Sequence, residues 1–214
     1  MKLAIRCALG VVFISGAANV ALASCTSELS YRGLQPEQAL PSACRTMGPL
    51  RLGMSYADVV GILGAPNVSM AFGHNEEALA YALPHAPDPR DRSLPATADP
   101  TNGFLRITLV EGKVVELYAL GSESSAAPYI VGDIVVGEPV NRLLHEVSAP
   151  PLWNTSKDNV ILGAYPIEVG LDGDTHRLIS ITIFTSWKEE GGPYPVFRSG
   201  AICLDGRAGI TCSR

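Results

Sequence analysis

The chain has 214 residues, of which 47% are hydrophobic and 17% are charged, as expected for a globular protein of one large or two small domains. Its 16 basic and 21 acidic residues give a formal net charge of −5 at pH 7. A mildly acidic chain of this kind argues against nucleic acid and against anionic lipid headgroups as partners.

The first residues have the pattern of an export signal, which we assign to residues 1–24. Lys2 and Arg6 supply positive charge, residues 7–20 are apolar or small, and residues 21–23 (Ala-Leu-Ala) form an A-x-A cleavage site. Removing the signal takes away two basic residues and no acidic one, so the mature protein is more acidic still. We expect it to be periplasmic or secreted.

Four cysteines remain in the mature chain, one close pair near each end: Cys25 with Cys44, and Cys203 with Cys212. An even count in an exported protein favours disulfides, although four cysteines allow three pairings. Local pairing would pin both termini and stabilise the fold by about 2–4 kcal/mol per bridge. No C-x-x-C spacing is present, which argues against a zinc site or a reactive thiol.

A second processing route involves the same region. Residues 22–25 (Leu-Ala-Ser-Cys) also resemble the lipobox of bacterial lipoproteins, in which the cysteine is acylated and becomes the first residue. Cys25 would then be an outer-membrane anchor, and Cys44 would lose its partner. The even cysteine count favours simple secretion, but both routes remain open at this point.

The first helix is strongly marked after a polar lead-in over residues 25–48. Ser55 is an N-cap candidate, and Asp58 three residues later completes a capping-box pattern. Gly64 suits a left-handed residue at the end of the helix, and Pro66 prevents its continuation.

This helix opens a first unit over residues 49–120. Residues 68–83 predict an irregular piece followed by a strand or short helix, and the proline-rich stretch 84–102 predicts an exposed loop. The alternating stretches 104–110 and 114–120 then predict a β-hairpin around a Glu-Gly turn.

A second unit over residues 129–187 follows a small-residue linker at 121–128 and precedes a C-terminal tail at 188–214. Its predicted elements are a helix that starts near Pro139 and ends before Pro150, a strand over 160–164, and a hairpin of residues 165–171 and 178–184.

The two units repeat each other. Residues 53–66 align with residues 137–150 without a gap, so that Gly53 matches Gly137. In both copies the apolar residues recur at the i, i+3, i+4, i+7 spacing of one helix face: Tyr56, Val59, Val60, Leu63, and Val140, Leu143, Leu144, Val147. The sequence thus predicts an α+β fold of two tandem helix-then-antiparallel-hairpin repeats that form a sheet surface. Such a scaffold presents a surface more readily than a single catalytic cleft.

The motif Gly-Met-Ser-x-x-x-Val-x-x-x-Leu-Gly-x-Pro at 53–66, followed by strands and a hairpin, resembles the helix-plus-sheet unit of the beta-lactamase inhibitor protein family. The same unit resembles the small outer-membrane lipoprotein of the barrel-assembly machinery (the SmpA/OmlA type). The tandem copy favours the inhibitor family, whereas the lipobox favours the lipoprotein. The resemblance covers 49–67 and 103–120 well, 134–184 less well, and neither end.

This resemblance implies an α+β fold and a protein-binding role in the bacterial envelope. An inhibitor or immunity-type protein is the first expectation, and an accessory, lipid-anchored subunit of an outer-membrane assembly complex is the alternative. The inhibitor family places a disulfide inside each repeat, whereas the cysteines here lie outside both. Its lactamase-blocking loop has no match in this chain, so no contact residue is carried over.

Catalytic motifs are missing from the sequence. There is no Gly-x-Ser-x-Gly elbow, and the adjacent carboxylates Glu76-Glu77 and Glu189-Glu190 would point to opposite faces of a strand. The sequence therefore predicts a protein that is not an enzyme. An exported hydrolase whose site is assembled from scattered residues is the alternative from another class.

The histidines predict no metal site and no cofactor. Asp172-Gly173-Asp174-x-His176 lacks the further ligands of a calcium loop, and a hairpin turn needs Asp and Gly for backbone reasons alone. His145 lies outside the apolar stripe of its helix, and His74 and His85 sit in irregular segments without an evident carboxylate or thiol partner.

Aromatic residues at element edges are the candidates for contact with a partner protein: Trp153, Trp187, Tyr81 and Tyr165. Packing of these rings in the core is the competing interpretation, and it is the more common role of aromatic side chains. A membrane is expected as a partner only if Cys25 carries a lipid. Aromatic residues on an open sheet face would favour binding, whereas titratable groups converging in a closed pocket would favour catalysis.

Overall fold

A computed structural model describes residues 24–30, 38–72, 75–83, 103–163 and 165–185. The described helices are α1 (Cys25–Glu28), α2 (Tyr56–Leu63), α3 (Glu123–Ala126) and α4 (Val140–Glu146), with a 3-10 turn at Ser42–Cys44. The first strands are β1 (Thr46–Met47), β2 (Leu50–Arg51), β3 (Val68–Phe72), β4 (Glu76–Ala82), β5 (Phe104–Val110) and β6 (Lys113–Leu120). The later strands are β7 (Pro151–Trp153), β8 (Asn159–Leu162), β9 (Ile167–Leu171) and β10 (Leu178–Phe184). No helix in these ranges has the length and apolar character needed to cross a bilayer.

The strands β3 to β10 form one eight-stranded sheet in the order β3-β4-β5-β6-β10-β9-β8-β7, and β1 and β2 pair separately. Every neighbouring pair is antiparallel. Each half is a four-stranded meander that follows one helix, and the halves join where β6 pairs with β10. The predicted α+β class is confirmed, and the hairpins β5–β6 and β9–β10 lie where the turn signals placed them.

Helix α2 begins as its sequence predicts. The Ser55 hydroxyl accepts a hydrogen bond from the Asp58 backbone N–H at 3.2 Å, and the Asp58 carboxylate accepts one from the Ser55 N–H at 3.0 Å. The Ser55 hydroxyl also donates to the Asp58 carboxylate at 2.6 Å, and this bond together with the one from the Ser55 N–H lowers the pKa of Asp58. Gly64 caps the other end at φ 80°, a conformation that costs glycine little.

Both halves attach their helix to their last strand in the same way. The Gly53 N–H donates to the Val114 carbonyl at 2.7 Å, and the Gly137 N–H donates to the Leu178 carbonyl at 2.7 Å. Both glycines have positive φ, at 86° and 94°. Helix α2 and helix α4 are therefore docked at matching points of β6 and β10.

The hydrophobic core lies on one face of the sheet, called here the core face. Leu79, Leu105, Ile107, Val169 and Ile181 of the central strands belong to it. Each described helix adds at least one buried residue to the same cluster: Cys25, Val59, Ala126 and Leu143. Burying Val59 and Leu143 stabilises the fold by about 1.5–3 kcal/mol for each side chain.

Three segments differ from expectation. Residues 68–72 and 76–82 form the edge pair β3–β4, because five consecutive residues of β3 pair with residues of β4. The polar lead-in contributes Leu29 and Met47 to the core, both 0% exposed. The predicted linker contains α3, whose Ala126 is buried, because Ser122 caps a helical turn that docks on the core.

The predicted disulfide between Cys25 and Cys44 is confirmed, with both residues fully buried. It uses the sulfur atom that a lipid anchor would require. Its loop encloses a sequence separation of 19 residues, which corresponds to about 3 kcal/mol of stabilisation in the chain-entropy model. The Cys203–Cys212 prediction, the signal and the proline-rich loop lie outside the described residues.

Candidate functional site

The sheet face opposite the core, called here the second face, carries a line of residues in register across all eight strands. Successive residues of a strand point to opposite faces, so the sequence neighbours of the core residues belong to this face. The line, called the central row, contains residues that are Cα partners from strand to strand: Val68, Ala80, Arg106, Tyr118, Thr182, Glu168, Ile161 and Leu152. Polar side chains occupy the middle of this row and apolar ones its two ends.

A fixed polar and aromatic cluster occupies the β5–β6 part of the second face. The Arg106 guanidinium donates to Glu116 Oε1 at 2.9 Å, and the Thr108 hydroxyl donates to Glu116 Oε2 at 2.9 Å. Arg106 also lies 4.6 Å above the Tyr118 ring, and that ring is 5.4 Å from the ring of Phe104, measured between centroids. Because each group is held by another, the cluster presents its side chains in one arrangement.

Burial governs the ionisation of this cluster. Glu116 is 2% exposed, and burial raises its pKa although Arg106 and Thr108 act in the opposite direction. Burial also raises the pKa of Tyr118, against the effects of Arg106 and of a hydrogen bond with Ser180. Tyr118 therefore keeps its phenolic proton at neutral pH.

Glu168 stands apart from this cluster, in the second half of the central row. It is 9% exposed, and its Oε2 atom has no hydrogen-bond partner among the described residues. Burial raises its pKa to about 7, with further contributions from the charges of Glu116 and Asp158. The side chain is thus a carboxyl group that changes charge near neutral pH.

Next to Glu168 on the same face, Gly170 leaves room for two side-chain oxygens. A Cβ at Gly170 would collide with Ser180 Oγ and would lie 3.0 Å from Asn159 Oδ1. Asn159 and Ser180 are its cross-strand partners on either side. The glycine therefore allows oxygen atoms from both neighbouring strands to converge beside Glu168.

Two of the predicted partner-binding residues are buried within the chain. Tyr81 is 7% exposed and donates from its hydroxyl to the Gly64 carbonyl at 3.2 Å. Tyr165 is 3% exposed and donates to the Ser30 carbonyl at 3.0 Å. Both rings belong to the core cluster, which corrects their expected place on an open face.

Trp153 is half-buried in β7 and packs against the core cluster, so its ring also lies on the core face. Several other candidates lie outside the described residues: Trp187, Cys203, Cys212, His74, His85, Glu189 and Glu190. Aromatic residues of the second face instead include Phe104, Tyr118 and Phe184, none of which is a predicted partner-binding residue.

The hairpin turn after β9 is organised by Asp172. Its carboxylate accepts hydrogen bonds from the Thr175 N–H at 2.7 Å, the Thr175 hydroxyl at 2.7 Å and the Asp174 N–H at 3.2 Å. These bonds lower the pKa of Asp172. Within the described ranges, no three His, Cys, Asp or Glu side chains are grouped to hold a metal ion.

We expect His176→Ala to change the free energy of unfolding by less than about 0.5 kcal/mol, because His176 is exposed at the surface of this turn. Partner capture by the variant should equal that of the wild type. Thermal unfolding and capture measured on the same preparation check both points. Loss of capture in a folded variant would reveal a role for His176 that the turn geometry does not supply.

No protein-family model matches the chain, and no curated protein matches it. Among solved structures, it is similar to a cysteine-rich secretory protein from Staphylococcus aureus subsp. aureus Mu50, with a TM-score of 0.42 and 12% identity over 63% of this chain and 44% of that chain. It is also similar to an extracellular protein containing a SCP domain from Bacillus anthracis str. Ames, with a TM-score of 0.39 and 12% identity over 70% of this chain and 49% of that chain. The chain therefore spans less than half of either structure, and the likeness is too weak to support a conclusion about function.

Proposed function

We propose that this chain is an exported, non-catalytic protein that binds another protein through the second face of its sheet, as an inhibitor or immunity-type protein. The observation that carries the proposal is the central row, where Arg106, Tyr118, Thr182 and Glu168 lie in register on the face without the described helices. Pre-arranged aromatic and arginine side chains are the groups that most often anchor protein interfaces.

The proposal includes a tandem repeat as the origin of this face. The matching glycine contacts of α2 and α4 support it, as do the further hydrogen bonds from the Tyr56 N–H to the Gly112 carbonyl and from the Val140 N–H to the His176 carbonyl, at 3.1 and 3.0 Å. Two such units joined at β6 and β10 make one continuous sheet, with the join in the middle of the row. This arrangement is what the resemblance to the beta-lactamase inhibitor protein family implies.

Export is part of the same proposal, and it rests on the N-terminal pattern together with the disulfide. A buried disulfide persists in oxidising compartments such as the periplasm or the extracellular space. Since Cys25 is bonded to Cys44, we place the lipid-anchored accessory subunit second to the inhibitor or immunity-type protein.

A hydrolase is the second candidate function, and one observation favours it. Glu168, with a pKa of about 7, has the ionisation that a general acid needs near neutral pH. A catalytic role would require Glu168→Gln to abolish hydrolysis of some envelope substrate. The binding proposal predicts no such activity in the wild type.

Capture from envelope extract with a matched pair of variants tests the binding proposal. Ala80→Glu places a larger, charged side chain in the central row, opposite Arg106, where an opposite-charge pair is compatible with folding. Ala57→Glu makes the same change at an exposed position of α2. We expect the oxidised wild type and Ala57→Glu to capture the same protein, and Ala80→Glu to recover about tenfold less.

Equal recovery by both variants, or loss with Ala57→Glu alone, would contradict binding through the second face. If the wild type captures nothing above background, the binding proposal fails and the hydrolase becomes the first candidate. Thermal unfolding of each variant shows whether a loss of capture results from the altered second face or from loss of the folded structure.

A further inference from the structure

The Oε2 atom of Glu168 is buried and lacks a donor within the described residues, and the residue as a whole is 9% exposed. Buried acceptors are nearly always paired in folded proteins, because an unpaired one loses its hydrogen bonds to water and gains none in return. An unpaired acceptor on a candidate binding face is explained when a ligand supplies the missing donor.

Among the described residues, the charges that act on Glu168 are negative. Glu116 on β6 and Asp158, which precedes β8, both disfavour its ionised form. Tyr118 is the other titratable side chain coupled to it, and it is neutral at neutral pH. Arg106, the cation of the row, lies on β5, three strands away from Glu168, and is bonded to Glu116. The local field therefore favours an added cation over an added anion.

Comparison of the two halves shows why the described residues place no cation beside Glu168. Arg106 pairs with Tyr118 across β5–β6, and Glu168 pairs with Thr182 across β9–β10, so the two charged residues occupy matching positions. Two residues before Tyr118, Glu116 supplies the counter-charge for Arg106. Two residues before Thr182 the chain has Ser180, which is uncharged.

We propose that Glu168 is the binding site for a basic side chain, lysine or arginine, of the partner protein. This inference rests on the proposed function, since it names the chemistry of the partner at the central row. Asn159 Oδ1 and Ser180 Oγ, which converge on Gly170, provide further acceptors for the remaining N–H groups of such a side chain. A guanidinium can donate to Glu168 and to these neighbours at once.

Binding of a cation should depend on pH, because only the carboxylate form attracts it. Burial and the charges of Glu116 and Asp158 raise the pKa of Glu168 to about 7. The ionised fraction then rises from about one-tenth at pH 6 to about nine-tenths at pH 8. Affinity for the cation should increase about ninefold over this interval, with release of a proton on binding.

Titration of the oxidised protein with N-acetyl-arginine amide, followed by NMR, tests the proposal without any partner protein. We expect saturable shifts at backbone amides of β8, β9 and β10 around Glu168, stronger at pH 8 than at pH 6. N-acetyl-citrulline amide, the uncharged isostere, should produce no saturable shift. Glu168→Gln should abolish binding, whereas Glu76→Gln, at a half-buried position of the same face, should retain it.

Absence of saturable binding to the wild type, binding retained in a folded Glu168→Gln, or equal binding of the citrulline derivative would each overturn the cation site. The dispersion of the NMR spectrum shows whether the variant is folded. The two proposals also fail separately. If the protein binds the arginine derivative but captures no partner, protein binding is refuted. If it captures a partner but does not bind the arginine derivative, only the proposed role of Glu168 is refuted.

Discussion

Val59→Asp is expected to unfold the protein. Val59 is the buried residue of α2 and is 0% exposed, so the substitution places an unpaired carboxylate inside the core. The cost exceeds about 4 kcal/mol, a large fraction of the stability of a typical domain. Circular dichroism during thermal and urea unfolding measures the effect.

The control for this prediction is Ile62→Asp in the same helix, because Ile62 is 44% exposed. It should lower the free energy of unfolding by less than about 1 kcal/mol. Leu143→Asp in α4, at the matching position, should behave as Val59→Asp does, since Leu143 is 1% exposed. A folded Val59→Asp variant with a wild-type melting temperature would contradict the assignment of the core face.

Glu168→Gln is expected to stabilise the protein at alkaline pH. The pKa of Glu168 is about 7 in the folded protein, against an ordinary value of 4.5. Between these values the folded protein holds a proton that the unfolded chain has lost, so the free energy of unfolding falls as pH rises. Ionisation of Glu168 therefore lowers the free energy of unfolding by about 3 kcal/mol above pH 7 and has almost no effect on it below pH 5.

Glutamine keeps the shape of the side chain and removes this titration. The variant should therefore exceed the wild type by about 3 kcal/mol at pH 8 and by less than about 1 kcal/mol at pH 5. Urea unfolding at both pH values measures the difference. Glu76→Gln, a half-buried control on the same face, should change stability by less than about 0.5 kcal/mol at pH 8. If the free energy of unfolding varied with pH in parallel for the wild type and Glu168→Gln, the description of Glu168 as a buried carboxyl without a hydrogen-bond partner would be contradicted.

Local signals were sufficient for several elements. The Ser55–Asp58 capping box and Gly64 fix the ends of α2 through contacts within a few residues. The turn at Glu111 and Gly112 has positive φ at both residues, as a tight hairpin requires. The pairing of Cys25 with Cys44 followed from their proximity in sequence.

Pairing between strands that lie far apart in sequence could not be predicted from such local signals. The β6–β10 join brings Tyr118 beside Thr182, and no turn connects these strands. Residues 121–128 have the small and polar composition of a linker, whereas docking of Ala126 on the core stabilises α3 within them. The hairpin β3–β4 lacks the alternation of polar and apolar residues that marks β5 and β6.

For the candidate site too, some features are visible in the sequence and others only in the structure. Arg106, Thr108, Glu116 and Tyr118 alternate with apolar residues, so the sequence does carry a signal for a polar strand face. Which side chains meet on that face depends on strand order, and the pairing of Thr182 with Glu168 becomes visible only with the register. Aromatic type alone was misleading, because Tyr81 and Tyr165 use their hydroxyls inside the core.

The most direct test of the second face as a binding surface is site-specific photo-crosslinking in envelope extract. Benzoyl-phenylalanine replaces Phe104, half-buried on the second face, or Tyr56, 40% exposed on helix α2. The account predicts a crosslink to one dominant partner from position 104 and none from position 56. A crosslink to that partner from position 56, with none from position 104, would contradict it.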